Sequence, residues 1–230
     1  MSDIGTRLAD IRGAIARACQ GCGRDPSSVA LVAVSKFHPA SALQEAYEAG
    51  QREFGESYAQ ELVEKAEQLA HLPDIRWHFI GALQRNKAKF VVPHVHLLET
   101  VASVRLAEAL EQRAQALSRT VDVLLQVNVG GEAQKSGCCA EEAAALLEQL
   151  DAFPSLRVRG LMTLPPFELE PEDTRTYFRA LRTLRDRLGG PARLPHLSMG
   201  MSHDFEVAIA EGATIVRVGT AIFGDRAAPR

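Results

Sequence analysis

The sequence predicts a TIM-type (β/α)8 barrel, an α/β fold, with one extra helix at its N-terminus. Three observations predict it. Short apolar runs alternate with amphipathic helical segments about eight times over 230 residues. The runs are mostly unbroken Val, Leu and Ile instead of alternating with polar residues, the mark of strands buried on both faces of a parallel sheet. No glycine-rich dinucleotide fingerprint follows the first run, and no linker divides the chain, which counts against an open doubly wound sheet. One domain over 1–230 is expected.

Taken in order, Ile4, Leu8, Ile11 and Ile15 have helical spacing and predict a leading helix to Ala18, ended by the loop Gly21–Ser28. Val29 to Val34 is the first strand, with Lys36 just past its end and Pro39 stopping it. Ser41 to Ala49 is a helix closed by Gly50. Arg52 to Glu56 is a short strand, and Ala59 to Leu69 a helix with Gln60, Glu61, Glu64 and Lys65 expected on its outer face. Trp77 to Gly81 is the third strand, followed by the polar turn Gln84-Arg85-Asn86 and a helix over Lys87 to Val91. His96 to Thr100 is the fourth, leading into a long helix from Ser103 to Leu117. Val121 to Val127 is the fifth strand, followed by a helix over Ala140 to Leu150; Val158 to Leu161 is the sixth, followed by a helix over Asp173 to Leu188. His196 to Gly200, a helix over Asp204 to Ala210, and Ile215 to Gly219 complete the set.

The bulk composition narrows the function classes. A formal net charge of −3, with acids and bases interspersed, offers no basic surface for nucleic acid or an anionic membrane. The first residues lack a signal-like apolar region and no run is long enough to span a bilayer, so a cytosolic protein is expected. Cys19 and Cys22 form a CxxC without a second ligand pair, and Cys138-Cys139 is a lone doublet; neither predicts a metal or redox site.

Five lysines stand against 21 arginines, so Lys36, kept at the C-terminal end of a buried strand, asks what only an amine can do. A primary amine condenses with an aldehyde to form a Schiff base. The C-terminal strand ends of a barrel share one mouth, and there the sequence delivers Lys36, Ser57, His78, Asn128, Met162, Ser198, Met199, Arg217, Gly219 and Thr220 as candidate contacts. Loops after the last two strands of such barrels often take phosphate, and Ser198-Met199-Gly200-Met201-Ser202 and Gly219-Thr220 are small and hydroxylated enough to do so. Arg217, between Val216 and Val218, shares its strand parity with Ile215 and Gly219 and must reach the mouth or a buried partner. A Schiff-base lysine with a phosphate cup fits pyridoxal 5′-phosphate (PLP) as cofactor. It also fits an aldolase whose substrate carries the phosphate.

Val34-Ser35-Lys36, Phe54-Gly55-Glu56-Ser57-Tyr58, Trp77 through Lys87, Gln126-Val127-Asn128, Lys135-Ser136-Gly137, Arg159-Gly160-Leu161-Met162, Leu197 through Ser202 and Val216 through Gly224 together closely resemble the pyridoxal phosphate homeostasis proteins, relatives of the alanine racemase barrel. The resemblance implies that Lys36 carries PLP as its Schiff base, that Ser198, Gly219 and Thr220 hold the phosphate, and that Arg217 faces the pyridine nitrogen. Ser57 stands where the family usually has Asn, and Ala82 where Pro is usual. The resemblance also implies a role in vitamin B6 and amino-acid or keto-acid balance without robust catalysis, with PLP-dependent apoenzymes as partners and a monomeric or weakly dimeric state. The chain ends soon after the predicted barrel closes, which leads to the expectation that the racemases' additional β domain is absent. An amino-acid racemase-like enzyme or a Schiff-base aldolase is the alternative.

Overall fold

The computed structural model describes residues 3–131, 136–166 and 169–225. Eight parallel strands close on themselves: β1 (Ala30–Val34), β2 (Glu53–Glu56), β3 (Arg76–Phe79), β4 (Val95–Val101), β5 (Val121–Asn128), β7 (Leu156–Met162), β8 (His196–Ser198) and β9 (Ile215–Val218). Each pairs with the next, β1 pairs with β9, and β7 pairs directly with β5. The strand that breaks this count is β6 (Cys138–Cys139), a two-residue strand laid parallel against the tip of β5, which the sequence did not predict.

The helix α1 (Asp3–Gly21) leads the chain, and α2 (Ala40–Glu48), α3 (Ala59–Gln68), α4 (Ala88–Val91), α5 (Val104–Ala116), α6 (Ala143–Leu150), α7 (Arg175–Arg187) and α9 (Phe205–Ala210) follow the strands they were expected to follow, while the short helices α8 (Gly190–Arg193) and α10 (Thr220–Phe223) were not expected. Boundaries moved where local chemistry differs from simple periodicity. The leading helix runs on past Ala18 to Gly21, burying Cys19, while the exposed Cys22 in the turn just beyond donates its thiol to the Ala18 carbonyl; all four cysteines are free thiols. The sixth predicted strand is longer at both ends. The helix predicted from Asp173 opens as a 3-10 turn, Pro171–Thr174, before α7 begins.

The large apolar core lies between the strands and the helices; a second, small cluster of Val32, Leu97, Leu124, Met162 and Ile215 plugs the barrel interior. Strand alternation makes this division, because neighbours in sequence point to opposite faces. Val32 is in register with Arg217, and Gly55 with His78. The positions between the aliphatic ones are therefore where the interior turns polar.

Among the described residues, no helix is long and apolar enough to cross a membrane, and no cluster of three His, Cys, Asp or Glu residues could hold a metal ion.

Gly160 makes the seam between β7 and β8. A Cβ added there would lie 2.0 Å from the His196 carbonyl oxygen, a backbone atom that cannot step aside. Gly160→Ala is expected to cost about 1–3 kcal/mol, read as a lower urea midpoint with an unchanged slope; a midpoint equal to the parent's would contradict this packing.

Candidate functional site

Beyond the C-terminal ends of β1, β2, β3, β8 and β9 opens a cavity of ≈ 490 Å³, lined among others by Lys36, Ser57, Ile80, Leu164, Ser202, Arg217, Gly219 and Thr220. Lys36 continues the inward parity of Val32 and Val34 and is half-buried. The residue after it, Phe37, has φ 67°, a left-handed conformation that costs a non-glycine residue about 1 kcal/mol. The Glu61 carboxylate holds it there, accepting the Phe37 N–H at 3.0 and 3.1 Å. Beneath, the Lys65 ammonium donates to the Ser35 carbonyl at 2.7 Å and pairs with Glu56 at 2.7 Å and Glu61 at 3.2 Å. Ser35 Oγ donates to Glu56 at 2.6 Å. Burial pushes Glu56 up to about 7 against the pull of Lys65.

Glu61 and Lys65 are thus not on a solvated helix face as their i,i+4 spacing suggests. Lys65 is 5% exposed, and α3 turns this edge inward to brace the turn that presents Lys36.

The opposite wall is a cup of hydroxyl and N–H groups. Gly200 makes it possible: its φ is 94°, and a Cβ would meet Ala208 Cβ at 2.6 Å and Phe205 Cα at 2.9 Å. The chain therefore turns sharply after β8, fixed by the Met201 N–H donating to Asp204 at 2.6 Å and the Arg217 N–H donating to the Gly200 carbonyl at 3.0 Å. This aims Ser202 so that its Oγ accepts the Gly219 N–H at 3.3 Å and sits 3.4 Å from Thr220 Oγ1.

The sequence reading gave this position to Ser198, and the structure corrects it. Ser198 still belongs to β8, in register with Met162 and Ile215, so its side chain points into the barrel below the cavity and is fully buried. Only the loop residue four positions on reaches the cup. Ser202 stood in the same motif but reads equally well from sequence as a helix cap.

Arg217 forms the floor. Its guanidinium donates to Ser198 Oγ and, at 2.9 Å, to the Thr163 carbonyl, and lies 3.8 Å from Glu99 Oε2. Ser198 Oγ donates to Glu99 Oε2 at 2.5 Å, and Glu99 Oε1 faces His78 Nδ1 at 2.7 Å. On the other side of the ring, His78 Nε2 lies 3.4 Å from Glu53 Oε2, and Glu53 pairs with Arg76. Burial opposes a charge on His78, yet the flanking carboxylates of Glu53 and Glu99 outweigh it and raise the imidazole to about 9. Burial alone would raise both acids; the facing cations reverse this, holding Glu53 near 2 and Glu99 below the usual carboxylate range.

Of the other candidates, Ser57 lines the cavity. His78 does not: it is buried under the floor. Met162 is part of the apolar plug, and Met199 faces outward into the core between sheet and helices. Asn128 ends β5, in register with Cys139, away from this cavity. The mistaken placements share a cause, since a strand end known only to within a residue or two leaves both depth and face open. Lys135 lies outside the described residues. Gln84, Arg85 and Asn86 line a separate cleft of ≈ 930 Å³ beside the mouth.

The chain is similar to known proteins over nearly its whole length. The family model described as the alanine racemase N-terminal domain matches residues 8–227. The curated pyridoxal phosphate homeostasis protein of Aquifex aeolicus is 46% identical over 96% of this chain and 97% of its own. Among solved structures, PipY of Synechococcus elongatus, determined with PLP bound, superposes with a TM-score of 0.85 at 42% identity, covering 96% of this chain and all of that one. The alanine racemase of Clostridium difficile, at 13% identity and a TM-score of 0.69 over 96% of this chain and 55% of its own, shares the fold.

The buried carboxylate–imidazole pairs fix how stability depends on pH. His78, raised from 6.5 to about 9, contributes stability that is complete below about 6.5 and lost as pH rises through 9; Glu53, lowered from 4.5 to about 2, contributes stability lost as pH falls from 4.5 towards 2. Urea unfolding free energy should therefore decline on both sides of a plateau, and His78→Gln should flatten the alkaline limb. An alkaline limb of equal size in that variant would contradict the pairing.

Proposed function

The chain belongs to the pyridoxal phosphate homeostasis family, and from that premise we propose that it holds pyridoxal 5′-phosphate as a Schiff base on Lys36 and serves intracellular vitamin B6 and amino-acid or keto-acid homeostasis. The observation that carries the reading is the half-buried Lys36 amine across a cavity of ≈ 490 Å³ from Ser202, Gly219 and Thr220. The donor set fits the cofactor: an amine for its aldehyde, hydroxyl and N–H donors for its phosphate, and a guanidinium for its ring nitrogen. PipY, solved with PLP bound, supports the same assignment.

Each residue has a physical task in this reading. Lys36 supplies the amine, presented by the turn that Glu61 and Lys65 brace. Ser202 and Thr220, with the Gly219 N–H, take the phosphate oxygens. Ser57 borders the cavity where the resemblance leads one to expect Asn, and its side chain is the shorter of the two.

Arg217 bears on the choice between holding and turning over, although racemases of this fold tolerate such an arginine by using a second catalytic group. Bound PLP supplies an electron sink whose strength depends on a proton at its ring nitrogen. A carboxylate would stabilise that proton; a permanently charged guanidinium opposes it. The site therefore favours a protein that shelters the cofactor and hands it on to PLP-dependent apoenzymes over a racemase or aldolase. A cytosolic monomer or weak dimer, with no membrane or nucleic-acid partner, is consistent with the net charge and with this role.

Borohydride reduction of PLP-treated protein followed by peptide mass spectrometry should find the pyridoxyl group on Lys36, and the Lys36→Ala protein should be colourless; yellow protein modified elsewhere would sink the assignment. Deuterium exchange at Cα across a panel of amino acids should be no faster with the protein than with free PLP. Fast exchange that depends on Lys36 would show an enzyme instead.

A further inference from the structure

The chain of charges under the cavity has a second role to play, toward the cofactor that the preceding section assigns. Four ionic side chains alternate in sign from the floor towards the far end of the barrel: Arg217, Glu99, His78 and Glu53, with Arg76 closing the series. Arg217, Glu99 and His78 are 3%, 0% and 2% exposed, so bulk solvent compensates them little. Among the described residues they bond to one another, to the Ser198 hydroxyl and to the Thr163 carbonyl, with Glu53 beside His78. We infer that His78 is a positioning residue for Arg217: as an imidazolium between Glu53 and Glu99 it keeps Glu99 a carboxylate, and Glu99, with Ser198, holds the guanidinium in place at the cavity floor.

Hydrogen-bond capacity links His78 to Arg217. As a carboxylate, Glu99 accepts at both oxygens, from Ser198 at Oε2 and from His78 at Oε1. Ser198 has one proton to give and gives it to Glu99, which leaves its lone pairs to accept the Arg217 N–H. The chain of donors thus has one direction, and His78 sets its start. A neutral ring would leave the fully buried Glu99 with the Ser198 hydroxyl and the Arg217 guanidinium 3.8 Å away as its only other partners among the described residues, and burial would then favour its protonated form. A proton on Glu99 would cost Arg217 its only carboxylate within 4 Å among the described residues.

The groups facing the His78 ring support the charge. Glu53 from β2 and Glu99 from β4 approach both nitrogens. The His96 ring, on β4, is 6.1 Å away, centroid to centroid, and is held below its ordinary range first by burial and then by the charge of His78. Arg76, on β3, is spent on Glu53. The balance is two acids against one imidazole, and it places the proton on His78 at neutral pH, consistent with a pKa of about 9.

The role is one of positioning because His78 touches neither the cavity nor Lys36. It makes the floor a fixed cation at the ring nitrogen, so the electron-sink setting that Arg217 imposes depends on a residue three hydrogen bonds away, through Glu99 and Ser198.

Two measurements test it, and the first needs no cofactor. In apoprotein labelled with ¹⁵N-histidine and ¹⁵N-arginine, the His78 nitrogens should read as imidazolium from pH 6 to 8 (about the window in which a free His titrates), and the Arg217 side-chain resonances should shift in His78→Gln. A neutral His78 at pH 7 overturns the inference, as do unmoved Arg217 resonances in a folded variant. In PLP-loaded protein, His78→Gln should change the ratio of the visible absorbance bands and its pH profile and raise the PLP dissociation constant about tenfold, the worth of one lost charge-assisted contact; Glu53→Gln should move the same observables in the same direction by less. A folded His78→Gln protein with the parent's spectrum and affinity overturns the inference. Should that variant not fold, the apoprotein titration and Glu53→Gln decide. A parent protein that takes up no PLP would defeat the functional assignment alone, since the ¹⁵N readings stand without it.

Discussion

The pairing of Glu99 with Arg217 and His78 is the constraint on which the rest of the interior depends. A closed parallel barrel of eight strands has no room for water in its middle and is ordinarily filled by layers of aliphatic side chains. Here part of the filling is apolar, through Val32, Leu97, Leu124, Met162 and Ile215. Another part is ionic, through Arg217, Glu99 and His78. Taking those ions out of water costs several kcal/mol each, which their mutual attraction offsets only when every charge is paired and bonded on more than one side. Glu99 meets that condition with three partners and Arg217 with three. A single truncation in the series would strand its neighbour, so the arrangement is poorly explained as a device for stability and well explained as one for fixing a cation at the floor of the cavity.

The other wall obeys a different rule. The turn that presents Lys36 carries Phe37 at a positive φ, and such a turn persists only where the surroundings hold it. The Glu61, Lys65 and Glu56 cluster does this from outside the barrel. The two ends of the site are thus braced independently: the amine from α3 and β2, the guanidinium from β3, β4 and β8. Between them the cup of Ser202, Gly219 and Thr220 depends on the sharp turn at Gly200.

What could be read from sequence follows from how far each signal reaches along the chain. The eight strands were legible because unbroken Val and Leu runs have one physical explanation, and Lys36 because its strand parity and its rarity coincide. The inward direction of Arg217 also followed from parity alone. Depth did not. Ser198 and Ser202 lie in one motif, and nothing local says which of them has left the strand; Met199 sits between them and faces away from both. His78 was found for the wrong reason, since Glu53 and Glu99 come from neighbouring strands and their convergence on one imidazole is a property of register. Lys65 and Glu61 carry the i,i+4 spacing of a solvated helix face, and only the packing of α3 against the end of β1 turned that face inward.

The division of labour at the site bears on the proposal that the protein holds a reactive aldehyde more than it uses one. The proposed phosphate cup contains hydroxyl and N–H groups and no lysine or arginine of its own, and Asp225 lines the same cavity. On the proposed assignment, a dianion held there by neutral donors is retained through geometry and leaves when that geometry relaxes. The fixed charge of Arg217 would then lie at the other end of the ring, buried and unable to follow the cofactor out. In that reading Arg217 weakens the chemistry of the cofactor without anchoring its phosphate. A racemase needs the opposite balance, a cofactor that stays through many turnovers beside groups that move protons at Cα. In this barrel the strongest electrostatics go to fixing the Arg217 cation at the cavity floor, and on the proposed assignment the contacts that decide residence are the ones most easily reversed.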